Sequence, residues 1–362
     1  MTSKERIMAV LKGKEPDRLP WAPLMDEYYT KSLAINGKIP DTVDVAREIG
    51  ADIMERHVQT YNVIENNIER KFERNGDKEL ETIITPVGIL KQHYSYSGET
   101  RFDRGHRVNT LEDIKVLQYI FENTNYELMP KSFLERQAYI KDDGIATVTV
   151  NSSPIEVLTQ GPMGLENFTY NLYDNEKEVK ELMEVIYNTN LKQLKKLIES
   201  PAEVIINYED TSTTVLSDKW YKEFVSGYIN ECADLVHKSG KIYITHMCGK
   251  LKGFVNIIKN DRMDGIDSVC PPTTGDLWAH EALESFNGKF IIGGIEPSAL
   301  KRMTVDETEK YVMKILKEVA PWKNFILSTG DATSFGTPIE NLKKVSELIR
   351  KYGTYPIEIQ KG

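Results

Sequence analysis

A histidine and a cysteine two positions apart are the residues of this sequence that point first to chemistry. His246 and Cys248 occur in "YITHMCGK" (243–250), at the end of a stretch that predicts a β-strand. Because alternate side chains of a strand point to the same side, both can reach one site. Imidazole nitrogen and thiolate sulfur are ligands that Zn²⁺ accepts in tetrahedral sites. The pair alone also fits a hydrogen-bonded core histidine beside a small apolar thiol, so the surrounding elements must decide.

The chain alternates short apolar stretches with longer helical patterns. The stretches that predict strands are 19–25, 51–57, 145–151, 202–210, 241–247, 263–269, 288–295 and 324–330. Apolar strands separated by helices indicate a parallel sheet covered on both faces, and eight of them predict an α/β fold, the (β/α)8 TIM barrel. Residues 60–105 are polar and alternating, and they predict β-hairpins inserted after the second strand. Without a low-complexity linker, residues 1–362 are predicted to form a single elaborated TIM-barrel domain.

Further candidates for chemistry follow other predicted strands, and in a TIM barrel the active site lies at the carboxyl ends of the strands. Cys270 ends the sixth strand, with 21 residues between it and Cys248, and it would complete a three-ligand zinc site with one open position. Glu209 and Asp210 follow the fourth strand, and as neighbours only one of them can point inward. Asp331 follows the eighth strand. Glu209 and Asp331 are the catalytic candidates, and either could instead be a metal ligand.

The remaining candidates would line a pocket for a small molecule. The predicted substrate-binding residues are Met25, Tyr28, His57, Tyr170 and Asp210. Aromatic side chains that could form the pocket walls, or equally pack in the core, are Trp21, Tyr28, Tyr29, Tyr96, Phe168 and Tyr170.

Composition excludes several classes of function. The formal net charge is −9 and the sequence pI is about 5.4, whereas nucleic-acid binding needs a basic face. No stretch approaches the roughly 18–20 apolar residues of a membrane span, and the first twenty residues lack the apolar centre of a signal peptide. Three cysteines suit a reducing compartment, so a cytoplasmic location is expected. Neither a P-loop nor a dinucleotide-binding fingerprint occurs.

Four segments resemble the uroporphyrinogen decarboxylase superfamily, and together they extend over almost the whole chain. They are "ERIMAVLKGKEPDRLPWAP", "THMCGKLKGFVNII", "FIIGGIEPSAL" and "STGDATSFGTPIENLKKV". The resemblance implies a distorted TIM barrel with its catalytic cleft at the carboxyl ends of the strands. The decarboxylases carry an arginine-rich "RQAGR" segment after the first strand, which holds substrate carboxylates. Here that segment reads "PLMDEYYTKSL" and contains no arginine, so tetrapyrrole decarboxylation is not expected.

The "HMCG" element resembles the corrinoid-linked methyltransferase branch of the superfamily, in which the H-x-C pair holds zinc. Members that act on coenzyme M take a third cysteine ligand after the last strand, and Asp331 stands at that position here. The third ligand is therefore open between Cys270, Glu209 and Asp331. The departure also argues against a thiol as the methyl acceptor.

The resemblance thus implies a zinc-dependent methyltransferase that moves a methyl group from a small donor to the Co(I) of a separate corrinoid protein. An aryl methyl ether is the favoured donor, because zinc can polarise the ether oxygen. A methylcorrinoid:thiol methyltransferase on the same fold is the first alternative, and a metal-free decarboxylase-like or binding protein is the second. The direction of methyl transfer and the oligomeric state, a homodimer included, stay open.

Overall fold

Parallel strands form the centre of a computed structural model that describes residues 1–98, 100–320 and 323–357. The strands at this centre are β1 (Ile53–Glu55), β8 (Gly144–Ala146), β9 (Val148–Val150), β10 (Val204–Tyr208), β11 (Ile242–His246), β12 (Gly265–Val269), β13 (Phe290–Ile295) and β14 (Phe325–Thr329). Strand β1 pairs with β8, and β9 to β14 follow one another in a six-stranded sheet. The predicted strand 145–151 is interrupted at Thr147, which separates β8 from β9.

The first predicted strand closes this arrangement into a ring. Leu327 of β14 donates a backbone hydrogen bond to Pro20 and accepts one from Ala22, both at 2.9 Å. On the other side, the Asp52 amide donates to the Trp21 carbonyl at 2.7 Å. The segment around Trp21 therefore lies between β14 and β1 as a short strand. In the described part of the chain, all eight predicted strands are present and the TIM barrel is confirmed.

The barrel encloses an apolar core, which the first helix also enters. The core side chains from the strands are Ala22, Met54, Ile145, Val204, Ile206, Ile244, Phe290, Ile292 and Ile326. From helix α1 (Ser3–Leu11), Ile7, Met8, Val10 and Leu11 join the same cluster. Burial of these side chains is the main favourable contribution to the stability of the barrel.

The amino-terminal motif holds the first two strands of the barrel together through one carboxylate. Asp52 is buried, and its oxygens accept hydrogen bonds from Arg6 at 2.6 Å, from Arg18 at 3.0 Å and from the Trp21 amide at 3.0 Å. A buried charge is tolerated when it is paired in this way. The conspicuous charges of "ERIMAVLKGKEPDRLP" thus have a structural role.

Helices surround the barrel within the same compact unit, which comprises Met1–Thr60, Pro130–Thr149 and Pro201–Gly362. They are α2 (Glu27–Lys31), α3 (Thr42–Ile49), α5 (Pro130–Ile140), α9 (Asp218–Trp220), α10 (Ser226–Lys238), α11 (Val255–Ile258), α12 (Ala279–Ser285), α13 (Ala299–Arg302), α14 (Val305–Val319) and α15 (Ile339–Tyr352). No helix of the described residues is long and apolar enough to span a bilayer.

Helix α14 begins with a capping box that supports a first prediction. The Thr304 hydroxyl accepts from the Glu307 amide at 3.3 Å, and the Glu307 carboxylate accepts from the Thr304 amide at 2.8 Å. Replacing Thr304 by alanine removes the side-chain acceptor of the Glu307 amide, so we expect a loss of about 1 kcal/mol in the free energy of unfolding, measured by urea denaturation. Thr304→Ser keeps the acceptor and is the matched control. Equal stability of the two variants would contradict the capping role.

The second compact unit comprises Tyr61–Met129 and Val150–Ser200. Its strands are β2 (Tyr61–Glu65), β3 (Glu69–Asn75), β4 (Lys78–Thr85), β5 (Gly88–Ser97), β6 (Thr100–Arg104) and β7 (Thr124–Leu128), and its helices are α4 (Leu111–Glu122), α6 (Pro154–Gln160), α7 (Gly164–Asp174) and α8 (Glu176–Glu199). Strands β3 to β6 form an antiparallel sheet, which confirms the β-hairpins predicted for 60–105. Strand β2 pairs instead with β7, beyond the predicted region. The prediction of a single elaborated domain stays a prediction.

Candidate active site

Glu209 and Asp210 follow directly after the end of β10, and they differ in their surroundings. Val204, Ile206 and the partly buried Tyr208 of the strand all pack on the barrel core. Glu209 is buried, whereas Asp210 is exposed and lies close to His246 and Cys248. In strand β11, Ile242 and Ile244 pack on the same core, and because side chains alternate along a strand, His246 lies on their side. Cys248 lies two residues beyond the strand end.

Three side chains from these two strand ends form a group that can hold a metal ion. One oxygen of Asp210, one ring nitrogen of His246 and the sulfur of Cys248 all lie within 4.8 Å of one another. The Cys248 thiol donates a hydrogen bond to Asp210 Oδ1 at 3.4 Å. Burial and the charge of Asp210 raise the pKa of the Cys248 thiol well above its usual range. A bound cation would reverse this effect, because a coordinated thiol is deprotonated.

A buried carboxylate on the neighbouring strand orients His246. The His246 Nδ1 and Asp267 Oδ2 are 3.0 Å apart, and Arg56 Nη2 donates to Asp267 Oδ1 at 2.8 Å. Burial tends to raise the pKa of Asp267, but the charge of Arg56 and the hydrogen bond with His246 lower it to about 2. An ionised Asp267 fixes the proton of His246 on Nδ1. The Nε2 lone pair is then available to a metal, as in carboxylate–histidine–metal arrangements.

Tyr208 packs against two imidazole rings. Its ring stacks on His246 with centroids 4.3 Å apart and an interplanar angle of 20°. The His57 ring also packs on Tyr208, at 4.3 Å and 35°. Burial and the positive charge of Arg56 lower the pKa of His57 to about 4, so its imidazole is neutral near pH 7. His57 has φ +62°, an uncommon conformation for a residue with a side chain, and such positions concentrate at functional sites.

A cavity of about 610 Å³ opens beside these rings, within the range that small-molecule sites occupy. Its lining comes from the loops that follow the first, second and eighth strands, together with the end of β10. The lining residues are Leu24, Met25, Asp26, Glu27, Thr30, Pro40, Asp41, Thr42, Glu55, Arg56, His57, Tyr208, Asp331 and Ala332. Three predicted site residues, Met25, His57 and Asp331, are thus brought to one cavity.

Cys270, predicted as the third ligand, is not part of the metal-competent group, although it lies near enough to Cys248 to contribute to the raised pKa of that thiol. Cys270 is buried, and its thiol donates a hydrogen bond to the Gly330 carbonyl at 2.5 Å. Burial and the charge of Asp331 raise its pKa well above the usual range, so the thiol is neutral. Among the described residues, Asp210 rather than Cys270 completes the group with His246 and Cys248. Asp210 was predicted to bind substrate, and Cys270 as a ligand stays a prediction.

Comparison with known proteins identifies the family. The sequence matches the family described as "Uroporphyrinogen decarboxylase (URO-D)" over residues 137–352, which is more than half of the chain. The chain belongs to the uroporphyrinogen decarboxylase family. The uroporphyrinogen decarboxylase of Aquifex aeolicus (strain VF5) is 21% identical over 183 residues, 50% of this chain and 51% of that protein. The match therefore spans about half the length of that curated relative.

The fold of this uroporphyrinogen decarboxylase family member also occurs in a solved structure. The structure described as "methyltransferase from Methanosarcina mazei" superposes with a TM-score of 0.65 and 13% identity, covering 97% of this chain and 99% of that one. At this identity the likeness establishes a shared fold. The sequence resemblance to the superfamily is confirmed, and so is the barrel that it implied.

The other predicted residues of this uroporphyrinogen decarboxylase family member lie outside the cavity. Glu209 is buried near Tyr228 and Tyr243. The pKa of each tyrosine is raised above the usual range, mainly by the burial of the tyrosine and to a smaller extent by the charge of Glu209. Tyr28 is half-exposed and packs on Phe335, with ring centroids 5.0 Å apart. Tyr170 is exposed on α7 in the second unit. Of the candidate wall residues, three are fully buried, as core residues are: Trp21, Tyr29 and Phe168.

Sequence reasoning missed Arg56, Tyr208 and Asp267. A signal for Asp267 existed in the predicted strands, because His246 and Asp267 are direct partners in the β11–β12 register. Aligning the ends of 241–247 and 263–269 places Ser268 opposite His246, so the sequence could bring Asp267 only to within one residue of its true partner. For Arg56, the charge next to His57 at the end of an apolar stretch was the available signal.

Proposed function

We propose that this uroporphyrinogen decarboxylase family member is a zinc-dependent methyltransferase, which moves a methyl group from an aryl methyl ether to the Co(I) of a separate corrinoid protein. The observation that carries the proposal is the Asp210, His246 and Cys248 group at the barrel mouth. The group adjoins a cavity large enough for a single aromatic ring with its substituents. The fold shared with a methyltransferase also supports the proposal of methyl transfer.

The three donors fit zinc better than the other common cations. Zinc accepts oxygen, nitrogen and sulfur ligands, and catalytic zinc sites combine three protein ligands with one open position. Magnesium and calcium prefer oxygen alone, so they would leave the imidazole and the thiolate unused. Asp267 supplies the outer carboxylate that zinc-bound histidines commonly have.

In the proposed reaction the methyl group passes to the corrinoid cobalt, and the electron pair of the broken C–O bond stays on the aryl oxygen. Bound zinc supplies Lewis acidity at the oxygen that carries the methyl group. Asp267 and the ring of Tyr208 hold the imidazole of His246 in one orientation. Asp331 lines the cavity and is the side chain to which we assign proton transfer at the leaving oxygen. Glu209 belongs neither to the three-residue group nor to the cavity lining, so we assign it no step.

The segment that follows the first strand argues against a porphyrinogen as substrate. In the decarboxylases this segment carries arginines that hold the substrate carboxylates, whereas residues 23–33 of this chain contain no arginine.

Metal analysis and a methyl-transfer assay test the proposal. Protein purified without added metal is expected to contain about one zinc per chain, as a three-ligand site predicts. Incubated with a methoxylated aromatic and Co(I) corrinoid protein, it is expected to form methyl–cobalt, followed by absorbance. A second arm supplies methylcobalamin and a thiol. Methyl loss in that arm alone would reverse the assignment to a thiol methyltransferase, and protein that neither contains nor takes up zinc would refute the proposal.

A further inference from the structure

The acidic residues that line the cavity already have partners within the protein. Arg136 donates to Asp41 at 2.7 Å and to Glu55 at 2.6 Å. Asp26 caps α2 by accepting from the Tyr29 amide at 2.8 Å. Paired carboxylates attract a cationic ligand weakly, because their charge is already compensated. The negative charge of the lining is therefore a poor guide to what the cavity binds.

Arg56 is the charged lining residue whose buried polar atoms lack partners. Its side chain is only 3% exposed, and Nη2 donates to Asp267. Nε and Nη1 are buried with no hydrogen-bond partner among the described residues. Leaving such donors unpaired is costly, and more so on a charged group. A guanidinium held at a cavity wall with open donors is complementary to an anionic oxygen.

Arg56 is connected to the metal-competent group through Asp267. The two oxygens of Asp267 accept from Arg56 and from His246, respectively. One carboxylate therefore separates the guanidinium from the imidazole. Arg56 and Tyr208 line the same cavity, and Tyr208 stacks on His246, so a ligand that fills the cavity and meets Arg56 lies one ring away from the metal-competent group.

We propose that Arg56 binds a carboxylate of the methyl donor and so selects carboxylate-bearing aryl methyl ethers over neutral or cationic ones. This inference rests on the proposed function for the identity of the donor. The carboxylate itself is recognised by charge and hydrogen bonding alone. Arg56 acts as a specificity-determining residue, and the neutral His57 beside it adds no competing charge.

Binding of three ligands of equal shape tests the proposal without any turnover. The probes are a methoxybenzoate, the corresponding methoxybenzamide and the corresponding methoxybenzylamine, titrated calorimetrically into the protein as purified with its metal. The benzoate is expected to bind at least about tenfold more tightly than the benzamide. In the benzoate complex both the carboxylate and the Arg56 guanidinium carry a charge, whereas in the benzamide complex only the guanidinium does. The amine, a cation, is expected to bind most weakly. Equal affinity for benzoate and benzamide, or tightest binding of the amine, would overturn the proposal.

Variants of Arg56 separate ligand recognition from support of Asp267. Arg56→Gln is expected to weaken benzoate binding by about tenfold or more and to leave benzamide binding within about twofold. Arg56→Lys keeps the charge and should retain part of the benzoate preference together with the zinc content. The matched control is Arg262→Gln, a half-exposed arginine paired with Asp234, which should change neither affinity. A benzoate preference that survives in Arg56→Gln would refute the assignment. Since the readout is binding, it remains decisive if no methyl group is ever transferred to a corrinoid.

Discussion

Cys248→Ala is expected to lose its bound zinc and to lower the rate of methyl transfer by more than about 100-fold. Substitution of residues that only support a metal ligand typically costs about 10–100-fold, so loss of a ligand itself should cost more. The thiol is the one sulfur in the group, and its removal leaves Asp210 and His246 as two ligands where three are usual. The measurement is zinc per chain after dialysis, paired with the initial rate of methyl–cobalt formation. Unchanged zinc content in Cys248→Ala would mean that the metal binds elsewhere.

The two other cysteines make this experiment discriminating. Cys232 is buried on α10, where its neighbours are Tyr228 and Tyr243, so Cys232→Ala should keep its zinc. Cys270→Ala should also keep its zinc, because the thiol is directed to the Gly330 carbonyl. Loss of zinc in Cys270→Ala together with retention in Asp210→Ala would reinstate Cys270 as the third ligand. The cysteine series thus decides between the sequence-based and the structure-based ligand sets.

The barrel was predictable because its signal is local. Each strand is a short apolar stretch between helical patterns, and even the first one, which has few backbone pairings, is apolar at Leu19, Trp21 and Ala22. The second unit was predictable only in part. Strands β4 and β5 alternate visibly, but β2 pairs with β7 across a gap that contains β3 to β6. Pairing between distant segments leaves no periodic signal in either one.

At the site, a short-range spacing was informative. His246 and Cys248 were predicted together from their two-residue spacing, and the structure brings both of them near Asp210. Cys270 as a ligand stays a prediction. Ser268, two residues before it, has φ +71°, and the β12–β13 register shifts between Ile266 and Val269. Spacing along the sequence does not reveal such a bulge, so it could not give the direction of the side chains that follow it.

Asp267 has the second large expected effect, because it compensates one buried cation and orients a metal ligand. Asp267→Ala leaves the Arg56 guanidinium buried without a counter-charge, for which we expect a loss of about 3–5 kcal/mol in the free energy of unfolding. Without the carboxylate, His246 is free to take the other tautomer or to rotate, so zinc affinity should fall about 10–100-fold. Urea denaturation and competition with a zinc chelator measure the two effects separately.

Wild type and Asp267→Ala should differ in their free energy of unfolding, and the pH dependence of this difference tests whether the Asp267 carboxylate causes it. Folding lowers the pKa of Asp267 to about 2, so the folded protein binds the proton less readily than the unfolded chain. The stabilisation that Asp267 contributes is therefore complete at pH values above the ordinary aspartate pKa of about 4. It declines as the pH falls below that value toward the folded-state pKa of about 2. The stability difference should be constant from neutral pH down to about 5 and then shrink.

The matched control for Asp267 is Asp264, three residues earlier in the same segment. Asp264 pairs with His237 at 2.9 Å, but both side chains are partly exposed, with 34% and 37% of their surface accessible. Solvent screens such a pair, so Asp264→Asn is expected to change stability by no more than about 1 kcal/mol and to leave zinc affinity unchanged. The two histidine–aspartate pairs have similar lengths but differ in their burial and in the second partner of the carboxylate, which is Arg56 for Asp267 and the Tyr243 amide for Asp264. Asp264→Asn keeps an acceptor for that amide. If Asp267→Ala and Asp264→Asn proved equally mild, the buried Arg56–Asp267–His246 arrangement would have no role in holding the metal ligand.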